Sequence, residues 1–310
     1  MSFLINPYVF SGFTPIDFSG LSLTHLWSIF KTSEATITYC CRVTHQAGSG
    51  SYRYVFYDSN GEISLSGSQI STTTTPNEST TLQDHIDTIG GSPNLHVVGW
   101  YDQIGAVNLA LPGGTSETQL PKLVASGVLV TKNSKTAIDF FTGLTNELEV
   151  GSGISQLDKG NDFSISSVAS SSQLATQTIL ISSKDVSSAP NNRFELAIDT
   201  STSKLISTLK EGGTANTAVY IAQENNTNQK RLVLTKDDNV EILGYLDDNL
   251  EDTTAIGTGV YTNDQFRVGA NFAGNLKYEG EVQFIAIHNA VLTGANVTTL
   301  DGKLNDYFSF

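Results

Sequence analysis

The sequence predicts an all-β fold, a sandwich or jelly roll with a short N-terminal arm and a short C-terminal helix. Three observations carry this expectation. Short segments rich in β-branched and aromatic residues recur from end to end. Clusters of Gly, Asn, Asp and Ser separate them at short intervals. Helical spacing of apolar residues is confined to two stretches. A length of 310 residues suits one large sandwich as well as two average domains, and no fixed-period repeat divides the chain. The expected organisation is therefore an arm over residues 1–18 followed by one β domain over residues 19–310.

Taken in order, the arm carries the apolar residues Phe3, Leu4, Ile5, Pro7 and Tyr8. An exposed apolar segment of this kind marks a partner site, so these five are the candidate attachment residues. Residues 35–43, 51–57 and 231–234 then read as strands, each bounded by turn formers. Connections are expected at Asp58-Ser59-Asn60-Gly61, Ser134-Lys135, Asp199-Thr200-Ser201, residues 236–239, Asp247-Asp248-Asn249 and Gly274-Asn275. Residues 71–79 form a polar, Thr-rich loop. Beyond it Leu82, Ile86 and Ile89 share one face of a short helix that Gly90-Gly91 stops. The second helix spans residues 295–307, with Val297, Leu300, Leu304 and Tyr307 on one face and Thr293 as N-cap. Cys40 and Cys41 are adjacent, so in a regular strand they point to opposite faces and neither a disulfide nor a zinc site is expected.

With 31 acidic against 17 basic side chains the net charge is −14, yet only 15% of residues are charged. Scattered cations cannot form the basic stripe that phosphate backbones require, which excludes nucleic acid as an expected partner. No apolar run approaches the length that crosses a bilayer as a helix, so no membrane insertion is expected, and the N-terminal residues lack the basic and apolar regions of a secretion signal. Ser and Thr supply about a fifth of the chain, so neutral hydroxyl groups are expected to do much of the facing to water.

Two stretches carry a resemblance. The first runs Val98-Gly99-Trp100-Tyr101-Asp102-Gln103-Ile104-Gly105, then Gln119-Leu120-Pro121 with an apolar continuation, then Asn133-Ser134-Lys135-Thr136-Ala137 and the turn Phe141-Thr142-Gly143. The second is residues 280–293 with the helix that follows. Together they resemble the concanavalin A-like, laminin-G-like jelly-roll domains of tailed-phage virion proteins, which are related to the catalytic domain of arabinofuranosidase B. The likeness spans roughly residues 20–308. It departs from the family pattern where Leu120 separates Gln119 from Pro121, where Ser134 replaces Gly and where Thr136 replaces Pro. The resemblance implies a concanavalin A-like jelly roll exposed on a virion, as a capsid decoration, head fibre or tail fibre module. Its implied partners are other virion proteins and a host-surface glycan, and virion symmetry suggests a homo-oligomer, with a trimer first.

Glycoside hydrolysis needs two carboxylates flanking a cleft. Glu147 with Glu149, and Glu279 with Glu281, lie two apart in strand-like runs and share a face, which keeps a divergent arabinofuranosidase-type hydrolase as the alternative. The carboxylate triad of concanavalin-like glucanases and the cysteine signature of the arabinofuranosidase domain are both missing, so the chain is expected not to be an enzyme. Trp100, Tyr101, Asp102 and Gln103 are expected to form a structural motif, the aromatics packing and the polar pair holding the next turn. His25, His45, His85, His96 and His288 show no metal-binding spacing, and no cofactor or metal is expected.

Overall fold

A computed structural model describes residues 14–46, 52–76, 79–113, 116, 119–141, 146–158, 160–172, 178–184, 193–199, 204–210, 218–221, 227–238, 240–256, 264–271 and 276–310. The candidate attachment residues Phe3, Leu4, Ile5, Pro7 and Tyr8 lie outside these, as do most residues of the turns expected at Asp199-Thr200-Ser201 and Gly274-Asn275.

In chain order the strands are β1 (Leu23–Ser28), β2 (Tyr39–Thr44), β3 (Arg53–Phe56), β4 (Ile70–Ser71), β5 (Leu95–Trp100), β6 (Leu109–Ala110), β7 (Lys122–Ala125), β8 (Val128–Leu129), β9 (Thr131–Lys132), β10 (Lys135–Thr136) and β11 (Ile138–Phe140). They continue as β12 (Leu148–Val150), β13 (Phe163–Ser171), β14 (Thr178–Lys184), β15 (Arg193–Asp199), β16 (Lys204–Lys210), β17 (Ala218–Ile221), β18 (Lys230–Asp237), β19 (Glu241–Leu246), β20 (Asn249–Ala255), β21 (Gln265–Val268) and β22 (Gly280–His288). Helix α1 (Leu82–Ile89) follows β4 and helix α2 (Gly294–Phe308) ends the chain. The expected all-β sandwich with a short C-terminal helix is the observed fold.

Neighbouring strands in β4-β3-β2-β5 pair antiparallel. At β5 the ladder forks: Leu95 and His96 pair with β7, whereas Gly99 and Trp100 pair with β6. One branch runs β7-β11-β22-β13-β18-β19-β20, with β1 taking the rest of the β22 edge beyond β11. The other runs β6-β12-β21-β14-β15-β16-β17. The two branches face each other across the core. Trp27 of β1 stacks on Phe266 of β21 with ring centroids 5.7 Å apart, and Phe163 of β13 meets Phe194 of β15 edge-on at 6.0 Å. Such aromatic pairs add to the burial of their own area, the main driving term of the sandwich.

The outer side of the first branch is covered as well. Val297, Leu300, Leu304 and Phe308 of α2 are buried, and Phe30 joins the helix to the sheet, 5.6 Å from Phe308 and 5.9 Å from Phe284. Both helices start on a capping box, α1 at Thr81 with Asp84 and α2 at Thr293 with Asn296. Residues 14–18, the end of the expected arm, belong to this cover: Ile16 bridges to Thr32, and Phe18 is buried against Phe284.

Local chemistry explains the connections. The β9–β10 and β19–β20 hairpins turn on Asn133-Ser134 and Asp247-Asp248, all four residues at positive φ. This is the conformation that two-residue hairpins demand, and Asn and Asp tolerate it well. The expectation of opposite faces for Cys40 and Cys41 needs correction. The β2–β3 register shifts between Tyr39 and Cys41, and both thiols are free and buried. A bulge breaks the alternation on which the expectation rested. The neighbouring Cys40 thiol and then burial push the Cys41 thiol well above its ordinary value.

Candidate functional site

Cross-strand partners share a sheet face, and the register of the stem and second branch assembles one continuous row. Tyr54 of β3 pairs with Arg42 of β2, Arg42 with Gly99 of β5, Gly99 with Ala110 of β6 and Ala110 with Glu149 of β12. Glu149 pairs in turn with Arg267 of β21. The opposite face of the same strands carries core residues such as Trp100, Leu148 and Phe266, so the row lies on the outer face.

At the β3 end the row is aromatic. Tyr101, just past β5, has its ring 4.9 Å from Tyr39 and 5.7 Å from Tyr54, and Tyr39 lies 5.2 Å from Tyr54. All three are half-buried. Gly99 lies under this cluster, with the Tyr101 ring and hydroxyl at van der Waals distance, 3.7 Å, from the position a Cβ would take. Arg42 adds a cation, its guanidinium 4.6 Å from the centre of the half-buried Tyr52 ring. Burial and then the Tyr54 hydroxyl raise the Tyr101 phenol against the lowering charge of Arg42, while burial and then Tyr54 raise Tyr39. Both phenols are therefore neutral hydrogen-bonding groups at ordinary pH.

Further along, the row is ionic. Arg267 reaches Glu149 Oε2 from Nε at 3.1 Å and from Nη2 at 3.0 Å, and Glu147 Oε1 from Nη1 at 3.3 Å, while Lys277 Nζ donates to Glu147 Oε2 at 2.7 Å. Glu147 and Glu149 do share a face, and both are neutralised by cations there. Of the other carboxylate pair, Glu281 accepts from Ser170 Oγ at 2.5 Å and lies 3.6 Å from Lys132. Its cross-strand partner is Asp139, whose carboxyl is raised by burial and then by the charge of Glu281.

The run from Trp100 to Gln103 is tied to β1. Trp100 is fully buried and its indole N–H donates to Ser28 O at 3.4 Å, and Gln103 Nε2 donates to Ser28 O and Phe30 O at 3.1 and 3.0 Å. Asp102 Oδ1 accepts the backbone N–H groups of Leu26, Ile104 and Gly105 at 3.0, 3.1 and 3.0 Å, and Oδ2 meets His25 Nδ1 at 2.6 Å. Three amide donors on one buried carboxyl oxygen make this a turn organiser. His25 Nε2 lies 3.2 Å from Gln156 Oε1, at the wall of an open polar cleft of about 500 Å³ that Ser155, Asp158, Asn161, Asp162 and Asn289 also line. Among the described residues no group of three or more His, Cys, Asp or Glu converges to hold a metal ion.

Tyr39, Arg42, Tyr52 and Tyr54 did not stand out in the sequence. Each lies in a strand-like segment rich in aromatics, and only the pairing of β2 with β3 and β5 brings them beside Tyr101. The alternation Tyr52-x-Tyr54 was the one local sign of an aromatic outer face.

The site sits on an all-β sandwich, a class that serves many functions. No protein-family description and no curated protein matches the chain. Among solved structures, a Trypanosoma rangeli sialidase in complex with sialic acid is similar at a TM-score of 0.49 and 13% identity, over 68% of this chain and 32% of that one. The binding domain of botulinum neurotoxin serotype G is similar at 0.46 and 10%, over 56% of this chain and 44% of that one. A structure bearing on cell entry of botulinum neurotoxin type C, which is dependent upon interaction with two ganglioside molecules, is similar at 0.45 and 14%, over 55% of this chain and 43% of that one. The matches thus span less than half of each of these proteins, and at such identities and TM-scores they assign no role to this chain. They also correct the expectation that the chain is not an enzyme. Sialidases stand among the similar structures, so inactivity does not follow from this architecture, and the likeness assigns no reaction to this chain either.

Proposed function

We propose that this protein is a carbohydrate-recognising β-sandwich module and that the outer face around Tyr39, Tyr54 and Tyr101 is its binding surface. The observation that carries the reading is the cluster of three half-buried tyrosines, mutually within 4.9–5.7 Å on a rigid sheet. Such rings offer apolar faces to the C–H side of a pyranose and neutral hydroxyls to its oxygens, at little entropic cost because strand packing orders them beforehand.

A place on a phage particle is the second half of the proposal. It rests on the sequence resemblance of the Trp100–Gly105 and Gly280–Thr293 stretches, and the apolar residues Phe3, Leu4, Ile5, Pro7 and Tyr8 are the proposed attachment to capsid or tail. Homo-oligomerisation, with a trimer first, accompanies it. Deletion of residues 1–13 is expected to leave the domain folded and abolish incorporation into particles. Particle proteomics lacking the chain would overturn the virion assignment. The binding half is tested by probing a glycan array with the folded protein and its Tyr54→Ala and Tyr101→Ala variants. Each variant is expected to weaken binding about tenfold, the effect of removing one well-packed aromatic anchor. An array without signal sinks the reading, and binding indifferent to both changes sinks the surface.

A further inference from the structure

We infer that the tyrosine surface selects a sugar that carries a carboxylate, with Arg42 as its partner. This rests on the carbohydrate reading above and adds the ligand's charge to it. Seven other cations of the described chain have an acidic partner or a backbone oxygen: Lys132 with Glu281, Lys135 with Glu62, Arg231 with Asp301, Lys236 with Asp238, Arg267 with Glu147 and Glu149, Lys277 with Glu147, and Arg53 with Tyr52 O. Arg42 forms no ion pair among the described residues, and its Nε is buried without a hydrogen-bond acceptor. Its contact is the Tyr52 ring at 4.6 Å, which orients the guanidinium and leaves its charge uncompensated.

In a chain of net charge −14, an arginine without an acid sits where acids are in surplus. The position gives the ligand its class. Arg42 lies in register between Tyr54 and Gly99, and Tyr101 packs over Gly99, so an anion at Arg42 sits beside the rings that would hold the sugar. A planar carboxylate matches the guanidinium fork. The overall negative charge opposes an anion only weakly, because at physiological salt charges beyond about 8 Å are screened.

The test uses the folded protein with four probes: sialyllactose against lactose, and an oligogalacturonate against its methyl ester. The wild type is expected to bind the carboxylated member of at least one pair about tenfold more tightly than its neutral counterpart, an effect that fades as salt rises. Which pair responds tells a sialic acid from a hexuronic acid. Arg42→Gln is expected to bring the ratio close to one by weakening the carboxylated member about tenfold more than the neutral one, with circular dichroism confirming the fold; Arg42→Lys is expected to keep part of the preference. Equal binding of both members by the wild type, or a preference that survives Arg42→Gln, overturns the inference and leaves the carbohydrate reading standing. Binding of none of the four probes, with none on the array either, overturns that reading and the inference with it.

Discussion

Asp102 shows how much one side chain can organise. Its Oδ1 gathers the backbone N–H of Leu26, 76 positions away, and those of Ile104 and Gly105 just beyond it, and its Oδ2 holds His25. Asp102→Ala strands these buried donors, each costing about 1–3 kcal/mol when unmet. The variant is therefore expected to lose at least about 3 kcal/mol, read as a lower urea midpoint at unchanged m-value. Asp102→Asn keeps one acceptor oxygen for the amides and is expected to lose less than half as much. The packing role of the Trp100–Gln103 run is written in adjacent residues, since an aromatic pair followed by an acid and an amide is a local pattern. The tyrosine surface is not, because Tyr54 and Tyr101 are 47 positions apart and meet only through strand register.

At the scale of elements, α2 was legible because its signals are local: Thr293 at the N-cap and four apolar residues at helical spacing, which become the buried Val297, Leu300 and Leu304 and the half-buried Tyr307. Thr293→Ala removes a capping box at the surface and is expected to cost about 1 kcal/mol. Leu304→Ala opens a cavity under the helix and is expected to cost about 2–5 kcal/mol. Thermal unfolding separates the two by several degrees. Strand β22 depends on one backbone position. Gly280 has φ 147°, and a Cβ there would run into the carbonyl of Ser170 on β13. Gly280→Ala is accordingly expected to cost at least about 2 kcal/mol, since neither strand can move without disturbing the sheet. Strand limits were harder to read than helix limits. Residues 35–38 have strand composition yet lie outside β2, because composition reports a preference for a pleated surface and pairing decides where the ladder begins.

For the whole molecule, pH is an informative variable. His288 is buried beneath the cover, with Nδ1 2.7 Å from Leu21 O and Nε2 2.9 Å from Ser166 Oγ. Burial brings it down to about 4, and burial also lowers His96. The unfolded chain takes up a proton at His288 near pH 6.5 and the folded one only near pH 4. Stability from this residue is therefore full above pH 6.5, falls as pH drops from 6.5 to about 4, and levels off below. The total is on the order of 3 kcal/mol, and His288→Gln is expected to flatten that part of a denaturation profile taken against pH. The class of fold was legible because turn residues and strand composition repeat along the entire chain. The layering was not, since nothing local distinguishes β7 from β6 as a neighbour of β5.

That fork gives the molecule a mechanical seam. A strand whose two ends feed different layers couples them, because the backbone that β6 holds at Gly99 and Trp100 is continuous with the backbone that β7 holds at Leu95 and His96. Pulled or heated, the two layers are expected to part together in a single cooperative event, and a module built this way resists shear from either side.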